Sequence, residues 1–483
     1  MRRRTVLQAV GTGVAGSIVL SQATGAVDGD LGFGPMTYVD TDRAGGEPTV
    51  SAHPDGTLLY SAHAGTSHFY APTVADPDTS AFAENYEGQA YYWWSDDFGE
   101  TWTFADRTVP PDGVPGSGFS DPEFAIDGAG NVYISEINLA NVAVSKSYDS
   151  GRSYELQNVF GQVMEDRQWM TADEDNVLYM TGNVFAGGTF PNDPAGNTGR
   201  HLWKSVDGGE TFVDLGNNAG GVGEIHVDKR DGTLYEAHLA GDGTLSMKAY
   251  RDARGSTDPS AFDHSPDDAV IAENVAIASG FVSYETDPAG NVYITWHDAG
   301  SETRPNGVYF SRSTDAGRTW SDPLRLDVND HTVVWPWLAV GDEGRVALTW
   351  LRASRHLPND DPETQGDHGW RVIVAGSLNA LDDDPTFERV VATPKPIHRG
   401  TICNGGTVCQ AEGVDRRLGD FFTLDIDTRG RVFVAYPDTR QGGAVCLPGF
   451  VRQNEGPRFV EQAGESPNSG PPFGPPDDPP GQV

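Results

Sequence analysis

Ser313-Thr314-Asp315-Ala316-Gly317-Arg318-Thr319-Trp320 is one of four octapeptides in which Ser, Asp, Gly, a hydroxyl residue and an aromatic ring keep the same spacing. In such an octet the Asp carboxylate can accept hydrogen bonds from nearby backbone N–H groups, and Gly can adopt a positive φ. Each copy therefore predicts two strands joined by a tight turn, with the aromatic ring packed beneath it. The repeated positions are Ser95, Asp97, Gly99 and Trp102; Ser147, Asp149, Gly151 and Tyr154; Ser205, Asp207, Gly209 and Phe212; and Ser313, Asp315, Gly317 and Trp320.

A second repeat has the form strand, Asp-x-x-Gly turn, strand. Residues 127–133 and 287–293 are nearly identical copies of its turn. Alternating apolar and small residues around a Gly turn predict a hairpin, and no long segment shows a helical period. The repeat recurs at spacings near the length of one four-stranded blade, which predicts a single array around one axis. The copies are 47–65, 121–138, 166–183, 223–241, 281–300, 335–353 and 419–439.

The octapeptide pattern resembles the Asp box, or BNR repeat, of the sialidase-like β-propellers. This resemblance implies an all-β propeller of four-stranded antiparallel blades, in which the boxes are folding devices remote from the active site. The resemblance implies six blades, whereas the hairpins predict seven; we expect seven, with six as the alternative. Residues 36–39 are expected to supply the outer strand of the last blade, because sharing a blade between the two ends leaves no open sheet edge.

The two ends of the chain differ in composition from the repeats. Residues 1–26 begin Arg2-Arg3-Arg4-Thr5-Val6-Leu7-Gln8, continue as an apolar run and end in small residues, a pattern that resembles a twin-arginine (Tat) signal peptide. We therefore expect an exported, extracellular protein. A single propeller domain is predicted over 34–455, followed by a disordered Pro-rich tail over 456–483. No stretch approaches the ~20 apolar residues of a membrane span.

The charge balance is strongly acidic. The chain has 33 basic and 70 acidic residues, so its formal net charge is 33 − 70 = −37. This excludes nucleic acid as the default partner, because phosphate binding needs a basic patch. Only five basic residues are Lys, and an acidic, Lys-poor composition resembles that of extremely halophilic proteins. We expect a monomer whose hydrated carboxylates keep it soluble in concentrated salt.

The chain has three cysteines, and their pairing stays open. Cys403 and Cys409 could close a short Gly-rich loop and leave Cys446 unpaired, or Cys446 could pair with either of them. No cofactor and no metal is predicted. The acidic runs 360–361 and 382–384 could hold a cation, but in so acidic a chain such runs are typical of solvated surface.

The blade plan assigns the two repeats to one end of the propeller. In a four-stranded meander the first and third connections lie together, so the Asp-x-x-Gly turns and the boxes share one end, which we call the turn face. The longer second and fourth connections share the other end, the loop face, where we expect ligand chemistry. Candidate catalytic carboxylates there are Asp121, Asp166, Asp298 and Asp420. Candidate ligand-binding residues are Glu47, His63, Arg167, Trp169, His297, Trp337, Arg352, Asp438 and Arg440.

Such a ring of carboxylates, Arg, His and Trp suits the recognition of a carbohydrate or an anion. The resemblance to sialidases implies three Arg, the first in a Phe/Tyr-Arg-Ile-Pro motif, and a Tyr–Glu pair. The corresponding place reads Gly45-Gly46-Glu47-Pro48-Thr49-Val50, and no Tyr–Glu pair stands out. Arg167, Arg352 and Arg440 are the candidates for a substitute triad. Two functions remain: glycan recognition with exo-glycosidase hydrolysis, or non-catalytic binding of a surface polymer or an exported protein partner.

Overall fold

The computed structural model describes residues 30–63, 90–107, 120–137, 142–160, 165–184, 199–217, 221–262, 268–301, 304–327, 331–403, 414–441 and 446–461. These residues form seven mainly antiparallel sheets, arranged as the blades of one propeller; four sheets have their strands in simple chain order, and three gain additional strands from other parts of the chain. The predicted all-β, seven-bladed fold is therefore confirmed, and the six-bladed alternative is wrong. Among the described residues, short 3₁₀ helices lie at Pro259–Phe262 and Pro358–Asp360.

The first four blades follow the predicted hairpins. Blade 1 contains Thr49–Ala52, Leu58–Ala62, Tyr91–Ser95 and Thr103–Phe104. Blade 2 contains Ser120–Ile126, Val132–Ile137, Val142–Ser147 and Ser153–Phe160, with Asp106–Arg107 added in parallel. Blade 3 contains Glu165–Ala172, Leu178–Val184, Gly199–Ser205 and Val213–Asn217. Blade 4 contains Gly221–Asp228, Thr233–Leu239, Leu245–Tyr250 and Ala269–Ala272.

The last three blades complete the ring. Blade 5 contains Ile277–Thr286, Val292–Asp298, Gly307–Ser313 and Leu324–Arg325. Blade 6 contains Val333–Val340, Val346–Ala353, Gly369–Ser377 and Glu388–Val391, with His398–Arg399 paired to its third strand. Blade 7 contains Leu424–Ile426, Val432–Asp438 and Leu447–Glu455, and two N-terminal strands finish it, Gly32–Phe33 and Thr37–Tyr38.

The apolar core lies between neighbouring blades, because the strands are buried on both faces of most sheets. Tyr60 and Trp93 of blade 1, for example, share one buried cluster with Phe433 and Phe450 of blade 7. Side chains also tie the first strands to each other. Val50 N donates to the Thr423 hydroxyl at 2.9 Å and thereby joins blades 1 and 7. The first strands are therefore held as an inner ring around the propeller axis.

The four boxes lie between the third and fourth strands of blades 1, 2, 3 and 5 and have one geometry. In blade 5 the Ser313 hydroxyl donates to the Asp315 carboxylate at 2.8 Å and accepts from Gly317 N at 2.9 Å. Asp315 also accepts from the backbone and the hydroxyl of Thr319, at 2.8 and 2.7 Å. The Asp315 carboxylate thus accepts hydrogen bonds from the backbone and the side chains of the turn that surrounds it. Equivalent bonds occur at Asp97, Asp149 and Asp207.

Blade 6 has a divergent box that the sequence pattern missed. Ser377 donates to the Asn379 side chain at 3.2 Å, and Asn379 Oδ1 accepts from the backbone and hydroxyl of Thr386, both at 3.0 Å. The amide oxygen takes the place of a carboxylate oxygen. Three extra residues separate Ser and Thr here, since Thr386 lies nine positions after Ser377 and Thr319 lies six after Ser313. Phe387 then packs on Phe310, as the aromatic residue of a box does.

The predicted closure by residues 36–39 is confirmed. Thr37 and Tyr38 pair with Phe450 and Gly449, and Gly32 and Phe33 add a second outer strand on the same partner. The packed chain continues past the predicted end at 455, because Phe459 is fully buried and bonds through its backbone to Gly430 and Asp342. The predicted signal peptide (1–26) and residues 462–483 of the predicted tail lie outside the described residues.

Candidate functional site

The first strands enter the ring through a recurring backbone distortion. A β-bulge interrupts the pairing of the first strand in blades 2 to 6. Asp121, Arg167 and Trp335 lie in these bulges with φ of 51°, 57° and 57°, and Glu47 holds the same conformation just before blade 1, with φ of 47°. Bulges re-aim side chains, and a non-Gly residue with positive φ stores on the order of 1–3 kcal/mol of strain. The strained positions therefore fall at the sequence-predicted loop-face residues.

Three carboxyl groups meet near these distorted segments, those of Glu47, Asp121 and Asp420. We call them the carboxyl cluster. Its members come from blades 1, 2 and 7, which are neighbours in the ring. The Ser120 hydroxyl lies 3.1 Å from Glu47 Oε2 and 2.7 Å from Asp121 Oδ1. Glu47 and Asp121 are 3% and 8% exposed. A single hydroxyl thus lies between two buried carboxyl groups.

Arg416 connects the third carboxyl group to the first. Its guanidinium makes two hydrogen bonds to the Asp420 carboxylate, the longer at 2.6 Å from Nη2 to Oδ2. The same Nη2 lies 3.6 Å from Glu47 Oε1. Gly419 is needed for this approach, because a Cβ at that position would overlap the Glu47 side chain. Arg416 is itself only 6% exposed.

The neighbours of these carboxyl groups displace their pKa values in opposite directions. Burial raises the pKa of Asp121 well above its usual range, and the adjacent Glu47 raises it further. Burial also raises the pKa of Glu47. Burial opposes ionisation of Asp420 too, but the Arg416 guanidinium outweighs it and lowers the pKa of Asp420. The cluster therefore brings together Asp121, whose pKa is raised, and Asp420, whose pKa is lowered.

His63 is the nearest imidazole to the cluster. Its Nδ1 lies 3.8 Å from Glu47 Oε2. Burial lowers the pKa of His63 to about 4, and the charge of Arg416 acts in the same direction. His63 is therefore neutral at neutral pH and contributes a polar wall, with no positive charge for an anion.

An aromatic layer lies beside the cluster. The Trp169 ring is 5.4 Å from Trp337 and 5.2 Å from Phe421, and the Arg167 guanidinium lies 4.7 Å from the centre of the Phe281 ring. Trp169 and Trp337, both predicted to bind ligand, are 2% and 6% exposed. Their rings therefore pack on each other and present little surface to a ligand.

Polar atoms without partners border this layer. Trp169 Nε1, Gln168 Oε1 and Glu123 Oε2 are buried and have no hydrogen-bond partner among the described residues. Gln168 Nε2 donates to the Asp121 carbonyl, so these atoms adjoin the carboxyl cluster. Buried polar atoms of native proteins are normally hydrogen-bonded. The unpartnered atoms could form hydrogen bonds with hydroxyl groups, which both donate and accept.

Further carboxyl groups follow the first strands inward. Burial raises the pKa of Glu123 well above its usual range, and the neighbouring Glu224 raises it further. Burial raises the pKa of Glu224 to about 8, and Glu224 accepts a 2.6 Å hydrogen bond from Tyr284 N. Burial raises the pKa of Asp425 to about 6. The ring interior therefore carries several carboxyl groups that are neutral under mild conditions.

Asp298 and His297 have partners outside the cluster. Asp298 pairs with Arg304 at 3.2 Å, and His297 Nε2 lies 3.3 Å from Asn306 Oδ1. Their partners belong to the same blade, so both residues serve local structure. Asp166 lies in the first strand of blade 3, but its side chain lies outside the description.

The three candidate arginines have separate neighbours in the described structure. Arg440 forms an ion pair with Asp438 at 2.6 Å, so these two candidate residues balance each other's charge. Burial lowers the pKa of Arg352, and Arg371 lowers it further. Arg167 packs on Phe281 as described above, and its charge helps Arg416 to lower the pKa of Asp420, so it borders the carboxyl cluster. The arginine that is hydrogen-bonded within the cluster is Arg416, which the sequence analysis missed because it precedes the seventh hairpin and has no counterpart in the repeat. Its one sequence signal is the run Asp415-Arg416-Arg417-Leu418-Gly419-Asp420, where opposite charges flank a glycine.

The remaining sequence-based candidates have simple outcomes. Cys403 is disulfide-bonded, Cys446 is a free buried thiol, and Cys409 lies outside the described residues. Residues 382–384 form an exposed turn. Across the described ranges no group of three or more His, Cys, Asp or Glu side chains is arranged to hold a metal ion. Nor does any helix in those ranges have the length and apolar character to cross a membrane.

No protein-family model and no curated protein matches the chain. Solved structures resemble it distantly. YCF48 from Cyanidioschyzon merolae is 10% identical with a TM-score of 0.45, over 87% of this chain and 98% of that one. The endosialidase of phage phi92 is 11% identical with a TM-score of 0.42, over 91% and 70%. An α-L-arabinanase of Penicillium chrysogenum is 13% identical with a TM-score of 0.41, over 88% and 97%. Similarity at this level carries nothing about function.

Proposed function

We propose that the protein is a glycan-active propeller whose site is the carboxyl cluster, and that it hydrolyses a glycosidic bond there. The observation that carries the proposal is the meeting of Asp121 and Asp420 within one buried cluster, where one carboxyl group is hydrogen-bonded to Ser120 and the other is gripped by Arg416. Glycoside hydrolysis generally needs one carboxylic acid and one carboxylate beside the same bond. The pKa displacements described above assign those two roles.

Asp121 is the proposed general acid. Its proton would pass to the oxygen of the departing sugar while the bond from that oxygen to the anomeric carbon breaks. Asp420 stays ionised beside Arg416 and stabilises the positive charge that develops on the sugar ring. A water molecule then forms a bond to the anomeric carbon through its oxygen and passes a proton to the Asp121 carboxylate, which restores the acid. Glu47 and Ser120 position the Asp121 carboxyl group, because the Ser120 hydroxyl lies within 3.1 Å of both acids.

The polar atoms next to the cluster favour a hydroxyl-rich substrate. Gln168 Oε1 is a buried acceptor, and Trp169 Nε1 is a buried donor. Glu123 Oε2 is also buried; it accepts a hydrogen bond when the carboxyl group is ionised and can donate one when it is protonated. Sugar hydroxyls can satisfy all three, since each hydroxyl donates once and accepts twice. The Arg416 charge is already used by Asp420, so the cluster does not favour a strongly anionic sugar.

A non-catalytic function is the second candidate, and one observation favours it. Glu47 and Asp121 are almost fully buried, and the Trp169 and Trp337 rings pack on each other. A scaffold that carries partners on its loop-face connections would need the cluster only to hold the blades together. An exported chain of this kind would bind a surface polymer or another exported protein.

The two functions are separated by turnover. The folded protein is incubated in concentrated KCl with a panel of neutral and acidic glycans and a fluorogenic sialoside, and released sugar is measured for the wild type and for Asp121→Asn. We expect turnover of a neutral glycan, a loss of about 100-fold or more in kcat for the variant, and loss of activity in the wild type as pH rises through the raised pKa of Asp121.

The matched control is Asp242→Asn, which makes the same substitution at an exposed carboxylate in a loop-face turn of blade 4. It is expected to retain wild-type kcat. Binding of a glycan without release of product by the wild type would reject the hydrolase in favour of the non-catalytic candidate. Equal loss in both variants would show that Asp121 has no special role.

A further inference from the structure

A cleft opens on the turn face, between blade 7 and blade 1, where the sequence predicted only tight turns. One wall is the Asp-x-x-Gly turn of blade 7 with Arg429 and Arg431, and the other is the blade 1 box with Phe98 and Glu100. Phe450 and Arg452 of the third strand of blade 7 line the space between them. The cleft has a volume of about 120 Å³, which is enough for one small group.

The cleft collects positive charge in a chain that carries a net charge of −37. Arg429, Arg431 and Arg452 line it, and Arg458 lies close enough to act on the first two. Two carboxyl groups face them, Glu100 and Asp427, so the local formal charge is 4 − 2 = +2. Glu100 is already engaged by Arg452. Arginines that repel one another inside an acidic protein indicate a site for an anion.

The cleft arginines are fixed in place before any ligand binds. Arg431 Nη1 donates to the Gly456 carbonyl at 2.7 Å, and its Nε is buried without a hydrogen-bond partner among the described residues. The Arg429 guanidinium lies over the Phe98 ring, 3.0 Å from its centre. A guanidinium fork held in this way loses little further entropy when it binds an oxyanion.

We propose that this cleft binds a small oxyanion-bearing ligand, with a sulfate, phosphate or carboxylate group on Arg431 and an apolar part against Phe98 and Phe450. Asp427 supports the site from behind: its carboxylate accepts the backbone N–H groups of Arg429 and Arg431, both at 2.9 Å, and shapes the turn. The site lies on the opposite face from the carboxyl cluster, so it is independent of the proposed hydrolase.

The test is calorimetric titration of the folded protein with sulfate, phosphate and glucuronate, at constant ionic strength in KCl. Constant ionic strength matters because salt screens exposed charges. The wild type is expected to bind at least one of the three anions at a single site. Arg431→Gln, which removes the fork but keeps a polar side chain, is expected to weaken that binding about tenfold or more. The anion that binds best identifies which oxyanion chemistry the ligand carries.

The matched control is Arg251→Gln, the same substitution at an exposed arginine of blade 4. It should bind as the wild type does, and equal weakening in both variants would mean that the anions respond only to overall charge. Should Arg431→Gln fail to fold, crystals of the wild type soaked in selenate give a second measurement. An anomalous peak beside Arg431 is expected, and a cleft without one, or a wild type that binds none of the three anions, overturns the proposal.

Discussion

Burial works against ionisation of the Glu224 carboxyl group. Glu224 is 8% exposed, and burial raises its pKa to about 8. In the unfolded chain a Glu has a pKa of about 4.3. The folded state therefore holds a proton that the unfolded state releases between these values, so this group's contribution to stability is present below about pH 4 and is lost as pH rises towards 8.

Glu224→Gln should remove this pH-dependent loss. Relative to the wild type, we expect the free energy of unfolding of the variant to rise by several kcal/mol between pH 4 and pH 8. The amide oxygen can still accept the Tyr284 N–H, so the fold is preserved. Denaturant titrations at several pH values measure the difference, with Glu210→Gln as the control at an exposed position. A variant whose stability runs parallel to that of the wild type would show that Glu224 is ionised in the native state.

Whether the sequence could predict a site residue depended on the position of that residue in the hairpin repeat. Glu47, Asp121 and Asp420 were identified because they occupy one position of the hairpin repeat, and the fold brings that position to one mouth of the ring. Arg416 was missed because it lies between repeats. Asp298 fills a repeat position too, yet Arg304 neutralises it from a connection whose path the spacing did not predict. Repeat position thus predicts the face, and local partners decide the role.

At the scale of the element, each box is a turn built around one carboxylate. Burial acts to raise the pKa of Asp315, but the hydrogen bonds to this carboxylate together outweigh burial and lower the pKa. Such a group stabilises the fold above its unfolded pKa of about 3.9 and loses that contribution as pH falls through the lowered native value. The boxes therefore add stability at neutral pH and none in strong acid. Asp121, Glu123 and Glu224 of the inner ring, whose pKa values are raised, have the opposite dependence.

Asp315→Ala should destabilise the protein by about 1–2 kcal/mol at pH 7, because the turn loses the acceptor of its Ser313 and Thr319 hydrogen bonds. Asp315→Asn should cost less, since Asn379 performs that role in blade 6 with an amide oxygen. Thermal unfolding at pH 7 and pH 3 measures both, and the destabilisation should shrink at pH 3. Asp322→Ala, at an exposed position just after the box, is the control. An equal loss at the two positions would contradict a special role for the box.

The same comparison explains why the fifth box escaped detection. The pattern requires Asp two residues after Ser and a hydroxyl residue six after it, whereas blade 6 has Asn379 and places Thr386 nine residues after Ser377. The extra residues form an exposed turn, which a surface connection tolerates at small entropic cost. Hydrogen-bond geometry is thus retained where spacing is not.

At the scale of the whole molecule, the fold was the most predictable feature, because each hairpin copy stands for one blade and the copies can be counted. The carboxyl cluster and the turn-face cleft were less predictable. The turn-face cleft depends on how blade 7 meets blade 1, and residues from distant parts of the chain, Phe98 and Arg429, form its walls. No local sequence pattern predicts this contact between blades 7 and 1, because it forms where the two ends of the chain are joined.

That junction supports the last prediction. Gly32–Phe33 and Thr37–Tyr38 supply the outer strands of blade 7, Leu31 is 4% exposed in the core, and Leu31 N donates to Glu388 of blade 6 at 2.7 Å. A chain that begins at Asp40 loses all of these contacts, whereas one that begins at Asp30 keeps them. We expect the shorter chain to lose several kcal/mol of stability, since burying one Leu alone is worth about 2–5 kcal/mol.

The shorter chain would also expose the edge of Leu447–Glu455, whose unpaired backbone groups favour association with a second chain. Calorimetric unfolding and light scattering of the two chains, side by side in concentrated KCl, measure both effects. The chain from Asp30 should unfold at the wild-type temperature and stay dispersed, and the chain from Asp40 should unfold earlier and associate. If both chains unfold at one temperature, the pairing of the two ends does not hold the ring closed, and the blade interfaces alone must account for its stability.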